Sequence, residues 1–344
     1  MNFKKAIVAS MIVFGMLVTL AGPVPAGAAA AQEQQQSDKE KLQIDQAVAA
    51  KLQKVLKQLA GKEIKLKDVG KISYDGSDNE FAYVESVDGK YAIFFETKNG
   101  RVWDVTQRIP LDKISKKDRD KALQKLKELY PNKTYVFEKE VDMIRSYNDK
   151  KAKFYEGIRF SFKGKNFQVT LSNDFSKNKT DFHLYSKSIE FDANELEPKL
   201  LKTAEEAMKT VLNQDINFTG ATLSPDGWVL GDKDVLVEID AKSNKVTSVI
   251  NMGRMKEKVR TDKEMTAKEA KEVIAPMAKK FFNIDITGYE AKWDDKSKNY
   301  SFFKYGKDDK GAKVELTIMR ATFDANKNVL SLTSGTKAAS GGWN

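Results

Sequence analysis

The chain of 344 residues has no cysteine and a single histidine. Without cysteine there is no disulfide framework, no thiolate metal site, no Cys–His nucleophile and no lipoprotein anchor. One histidine rules out the paired-His zinc motifs. Any Ser-His-Asp triad would have to use His183, which sits in the alternating run Phe182-His183-Leu184-Tyr185 and so reads as a surface or half-buried strand residue. There is no glycine-rich strand-to-helix loop to cradle phosphates, hence no nucleotide site. Carboxylates are abundant, yet no spacing singles out a glycosidase pair. The acidic turns Asp294-Asp295-Lys296-Ser297-Lys298-Asn299 and Asp308-Asp309-Lys310 lack the Asp-x-Asp-x-Asp-Gly pattern with a distal Glu, and their lysines oppose a divalent cation. The expectation is a protein with no catalytic residues, no cofactor and no metal, which is not an enzyme.

Long apolar runs are also scarce. Ala6–Leu20 is one, preceded by Lys4 and Lys5, broken at Gly22-Pro23 and followed by small residues from Ala26 to Ala31. It is short of the roughly 20 residues needed to span a bilayer and has the three-part pattern of a secretory signal peptide, residues 1–31, cleaved after Ala28 or Ala31. No later segment is apolar enough to cross a membrane. The expected location is extracellular, and export without cysteine suits a Gram-positive bacterium. The leader carries two lysines and no acids, so the formal charge of +10 becomes +8 after processing. Residues 32–44 are polar and aperiodic and read as a flexible linker.

What the chain does have is repetition. Four amphipathic helices are predicted: one on Val48, Leu52, Val55, Leu56 and Leu59, stopped by Gly61; one opened by Ser115 and Asp118, burying Ala122, Leu123, Leu126 and Leu129, stopped by Pro131; one on Leu200, Ala204, Ala207, Met208 and Val211; and one opened by Thr266 and Glu269, with Ala270, Val273, Ile274 and Met277 inward. Pro276 is expected to kink the last. Between the helices the period drops to two, as in Phe81–Val84 and Tyr91–Phe94 around Asp88-Gly89, and in Val235, Val237 and Ile239. Closing hairpins recur at Phe94–Trp103, Val237–Val246 and Thr322–Leu330. Few Pro or Gly residues mark the boundaries near Leu111, Ala193 and Arg260. The expected fold is α+β: four tandem repeats, each an amphipathic helix packed on a small antiparallel β-sheet with one wet face, over residues 45–112, 113–192, 193–260 and 261–337, with a disordered tail at 338–344.

The order of helix, strands and closing hairpin, seen best in Val237-Glu238-Ile239-Asp240-Ala241-Lys242-Ser243-Asn244-Lys245-Val246, resembles the PepSY type of repeat and the YcdB/YcdC repeats of secreted and wall-associated proteins of Bacillus-like bacteria. The resemblance covers Gln43 to Lys337 as architecture and the hairpins Leu236–Val249 and Met319–Leu332 at residue level. It implies a non-catalytic domain that binds or inhibits a secreted peptidase, or accompanies a cell-wall hydrolase; no peptidase domain lies in this chain, so the partner is expected in trans.

Two candidate surfaces follow. The strand edges at Val235, Val237 and Ile239 and at Val314, Leu316 and Ile318 are candidates for taking up an extended peptide segment by strand addition. The basic residues Lys116, Lys117 and Arg119, and Arg254, Lys256, Lys258 and Arg260, are candidates for holding anionic wall polymer, the alternative reading; nucleic acid is not expected as the partner of an exported protein. Trp103, Trp228 and Trp293 are expected in the cores between helix and sheet, and Trp343 in the tail.

Overall fold

The computed structural model describes residues 46–67, 70–73, 80–173, 181–231, 234–254, 259, 264–307 and 313–335. The leader, the linker and the tail lie outside them. The chain divides into two compact units, residues 1–103 and 104–344.

In the first unit, α1 (Gln46–Ala60) buries Leu52, Val55 and Leu56, and Gly61 ends it at φ 72°. Strands β1 (Gly70–Ser73), β2 (Glu80–Glu85) and β3 (Tyr91–Glu96) form an antiparallel ladder. Its register sets Val84 opposite Ile93 and Ala82 opposite Phe95, all of them buried, while Phe81, Tyr83 and Phe94 take the other face half-buried. Phe81 and Phe94 stack there at 5.5 Å. The β2–β3 turn is held by the Asp88 carboxylate, which accepts from the Ser86 hydroxyl at 2.6 Å and the Lys90 amide at 3.0 Å. β4 (Arg101–Pro110) begins in this unit after Gly100, whose φ of 63° favours glycine and where an added Cβ would press on Val48 of α1 at 3.1 Å.

The second unit takes up β4 at Asp104. Its helices are α2 (Lys116–Leu129), α3 (Pro198–Leu212) and α4 (Ala267–Met277). The Ser115 hydroxyl caps α2 by accepting from the Asp118 amide at 3.1 Å, and Thr266 and Glu269 form a reciprocal capping box on α4. Pro276 does not end α4: the chain continues from its last turn into a wide π-helical turn, Ala278–Phe282, closed by Asn283 at φ 55°.

The strands are β5 (Glu140–Asn148), β6 (Lys153–Phe154), β7 (Arg159–Gly164), β8 (Phe167–Ser172), β9 (His183–Asp192), β10 (Gly220–Ser224), β11 (Gly227–Gly231), β12 (Val235–Ile239), β13 (Val246–Asn251), β14 (Glu290–Asp294), β15 (Asn299–Lys307), β16 (Lys313–Phe323) and β17 (Val329–Ser334). Except for β6, a short partner of β5, they run with β4 as one antiparallel ladder in the order β4-β5-β7-β8-β9-β10-β11-β12-β13-β17-β16-β15-β14. α2 lies on β8 and β9, α3 on β12, β13 and β17, and α4 on β14.

This corrects the expected architecture. The small sheets of separate helix-on-sheet repeats are not there: β4 pairs with β5 through Ile109↔Val141, β9 with β10 through Phe191↔Ala221, and β13 with β17 through Val249↔Leu332, so the ladder crosses all three expected boundaries. α3 likewise packs on a strand, β17, from the next expected repeat. The physical reason is that each small sheet would end in a row of unpaired N–H and C=O groups, and joining edge to edge satisfies them. The wet face also fails at the centre. Every residue of β12 is buried, including Glu238, and the Ser248 and Thr333 hydroxyls bond each other at 3.1 Å in a buried contact across β13 and β17.

Candidate functional site

The two predicted strand edges have opposite fates. β12, with Val235, Val237 and Ile239, lies between β11 and β13 and is paired on both sides. Its apolar residues belong to the core, Val237 and Ile239 at 0% exposure. It cannot take up another strand, and that assignment is withdrawn.

β16 is different because it outruns its neighbours. β17 pairs with β16 from Ser334↔Met319 to Val329↔Phe323, and Gly335 N–H adds one bond to the Ile318 carbonyl at 3.0 Å. From Ile318 back to Lys313, no strand lies on that side among the described residues. On the other side the segment is fully paired: Thr317↔Phe303, Leu316↔Lys304, Glu315↔Tyr305, Val314↔Gly306 and Lys313↔Lys307. β15 outruns its own outer neighbour too, since β14 pairs only from Asn299 to Phe303. The distal halves of β15 and β16 therefore form a two-stranded arm reaching past the sheet, with an edge on Lys313–Thr317 that is open among the described residues.

The arm carries apolar surface. Leu316 is 42% exposed and Tyr305 45%, among the few large apolar residues exposed to that degree. Val314 and Leu316 alternate with Lys313, Glu315 and Thr317 and so share one face, and Ile318 follows at the β-bulge before Met319, packed partly buried against the core. The Leu316 side chain lies across Gly306, where an added Cβ would stand 2.4 Å from its Cδ1. On the opposite face Tyr305 meets Phe303 edge-on at 5.6 Å, and the Lys313 ammonium sits 3.6 Å above the Tyr305 ring. Glu315 faces Lys292 at 4.0 Å. Glu315 is thus faced by a cation of β14 and Lys313 rests on a ring, and what the edge offers outward is backbone hydrogen bonding with Val314 and Leu316. Tyr305 and Gly306 were not singled out in the sequence, although the long alternating run Asn299–Lys307 beside the short Glu290–Asp294 is the available signal.

The described basic candidates are paired or half-buried one by one. Lys116 pairs with Asp120 at 2.5 Å, Lys117 with Asp181 at 3.6 Å, and Arg119 is half-buried on α2. Arg254 reaches the buried Asp324 at 2.6 Å. Lys256, Lys258 and Arg260 lie outside the described residues. Asp324 is an internal support of the last hairpin turn: its carboxylate accepts from the amides of Asn326 and Asn328 and from the Asn328 side chain. Burial pushes its pKa up, but hydrogen bonds led by Asn328, with that from Arg254, outweigh this and hold it below the usual carboxylate range.

His183 is exposed at the start of β9, opposite Ser172. Glu138, Glu140 and Asp142 surround a depression of about 170 Å³ with Arg108 and Lys163, but Asp142 is matched by Lys163 at 2.6 Å and Arg108 at 3.6 Å. Asp294 accepts from the amides of Lys296 and Ser297, and Asp295 pairs with Lys298 at 2.7 Å, so this acidic turn uses its carboxylates on itself. Asp308 and Asp309 lie outside the described residues. Among the described residues no three His, Asp or Glu side chains converge as a metal would require. Trp228 and Trp293 pack against the core of the second unit.

The geometry defines an antiparallel β-protein with a projecting, edge-exposed hairpin. The chain matches no family model, no curated protein and no solved structure.

Proposed function

We propose that this is an exported, non-enzymatic binding protein whose β16 edge takes up an extended segment of a secreted peptidase or cell-wall hydrolase and thereby regulates it. The observation that carries the reading is the Lys313–Thr317 edge, open among the described residues, on an arm that the neighbouring strands leave behind. An edge without proline and, among the described residues, without a covering element, its one bulge lying at the inner end by Ile318, is what proteins ordinarily avoid unless something pairs with it. Main-chain hydrogen bonds along the edge would supply affinity, and Val314 and Leu316 would select a segment with apolar residues at alternate positions.

Capture tests this. The chain from Gln32 onward, immobilised, is exposed to wall and secreted fractions of the source organism and washed at low and high salt. One peptidase or hydrolase retained through high salt, and lost by at least tenfold on Leu316→Lys, is the expected result. Retention by wall polymer alone, released by salt, would replace this reading with electrostatic wall association, because exposed charge contacts are screened and edge pairing is not.

A further inference from the structure

We infer that the segment taken up at the β16 edge is acidic at one defined place, an aspartate or glutamate directly opposite Lys313; this rests on the reading of that edge as one that accepts a strand. The sheet itself limits where such a segment can lie. The Gly335 amide already donates to the Ile318 carbonyl, and Ile318 is skipped at the β-bulge between Thr317 and Met319. An incoming strand therefore has the five residues from Lys313 to Thr317 to pair with. Antiparallel pairing, the direction in which β17 meets the inner part of the same strand, lays its first residue against Thr317 and its fifth against Lys313. The second and fourth residues then meet Leu316 and Val314 and share their face. The first, third and fifth meet Thr317, Glu315 and Lys313 on the other face.

Charge decides between the odd positions. Glu315 has a cation already, Lys292 at 4.0 Å, and an acid set directly opposite it would meet like charge. Lys313 has a ring instead of an acid: its ammonium stands 3.6 Å above Tyr305 and, among the described residues, meets no carboxylate. Lys304, which pairs with Leu316 from β15, is placed the same way over Tyr289 at 5.6 Å. Both lysines are exposed. An ammonium resting on a ring keeps its full charge and its remaining N–H donors. A carboxylate in the fifth position therefore gains a cross-strand ion pair without breaking any contact inside the arm, whereas the same carboxylate in the third position is repelled. Register and charge together name one pattern for the occupant: neutral, apolar, neutral, apolar, acidic.

The experiment titrates the chain from Gln32 onward against three fluorescein-labelled peptides, followed by anisotropy. Their cores, from N- to C-terminus, are Thr-Val-Thr-Val-Glu, Thr-Val-Thr-Val-Lys and Thr-Val-Glu-Val-Thr, each flanked by Gly-Ser. At low salt the first should bind at least about threefold more tightly than either of the others, the scale of an exposed cross-strand pair set against a repulsive one. High salt should shrink that preference while binding persists, because exposed charges are screened and strand pairing is not. Lys313→Gln should abolish the preference between the first two peptides and Lys313→Glu should invert it, both with unchanged circular dichroism. Equal binding of all three peptides, or an acidic preference that survives Lys313→Glu, overturns the inference and leaves the uptake reading standing. No binding by any peptide up to about 1 mM, the weak end of the affinity range, or binding that Leu316→Lys does not weaken, sinks the uptake reading and the inference with it.

Discussion

β12 and the distal half of β16 read alike, Val-Leu-Val-Glu-Ile and Val-Glu-Leu-Thr-Ile, each with apolar residues at alternate positions and one glutamate. One is the centre of a sheet and the other an open edge. The difference lies in their neighbours. β11 and β13 flank β12 along its length, whereas β17 stops at Ser334 beside Met319 and β14 stops at Glu290 beside Phe303. An edge is therefore a property of relative strand length, and strand composition alone does not report it.

Substitutions break this comparison at its widest point first. Val237→Asp puts an unpaired charge at a fully buried site and should destabilise by at least about 4 kcal/mol, while Leu316→Asp should stay within about 0.5 kcal/mol; chemical denaturation of the two variants measures the gap. Ile239→Ala should lose about 2–5 kcal/mol through the cavity it leaves, against at most about 0.5 kcal/mol for Leu316→Ala by the same assay. Equal losses at the two strands would mean that the arm is packed, not projecting.

The closing turns give a smaller contrast. Asp240 of the β12–β13 turn is half-buried and accepts from Ser243, whereas Asp324 of the β16–β17 turn is 2% exposed and bonded to Arg254. Asp324→Ala should therefore lose about 1.5–3 kcal/mol and Asp240→Ala clearly less, read from urea midpoints at unchanged slope.

Acid sharpens the picture further. Hydrogen bonds from Lys327, then from the Thr266 amide and hydroxyl, hold the Glu269 carboxyl down to about 2 from 4.5. A carboxylate depressed on folding contributes stability above its unfolded value and loses it as the pH falls toward the folded one. That contribution should be fully present above about pH 4.5 and drain away toward pH 2. Glu269→Gln should flatten the melting temperature against pH in that window and leave its shape at neutral pH unchanged.

Much of the local structure is legible in the chain. Ser115 and Asp118, and Thr266 and Glu269, mark helix starts because a side-chain oxygen there meets an otherwise orphaned amide. The turn residues Gly89, Gly100, Asn244 and Lys327 all take positive φ where the hairpins close. What escapes is which strand meets which. Alternation tells a side chain's face, but every residue has the same N–H and C=O, so nothing in Phe191 or Ala221 announces that their strands join. For the same reason Val314–Ile318 was legible as a strand, while Tyr305 and Gly306, which make it an arm, were not. The buried polar residues Glu238, Ser248 and Thr333 read as a wet face and prove to be interior.

The pairing of β13 with β17 joins Ser248 to Thr333, with β14, β15 and β16 made in between. The chain emerges N-terminus first, so the open side of β13 must wait for Val329–Ser334, the last strand of the ladder to appear. Until then the helix α3 has only part of the surface it finally covers. The molecule is thus built like an arch whose keystone is set last, and premature termination anywhere before Val329 would strand a sticky, half-finished sheet, an outcome that gives a quality-control protease a clear target.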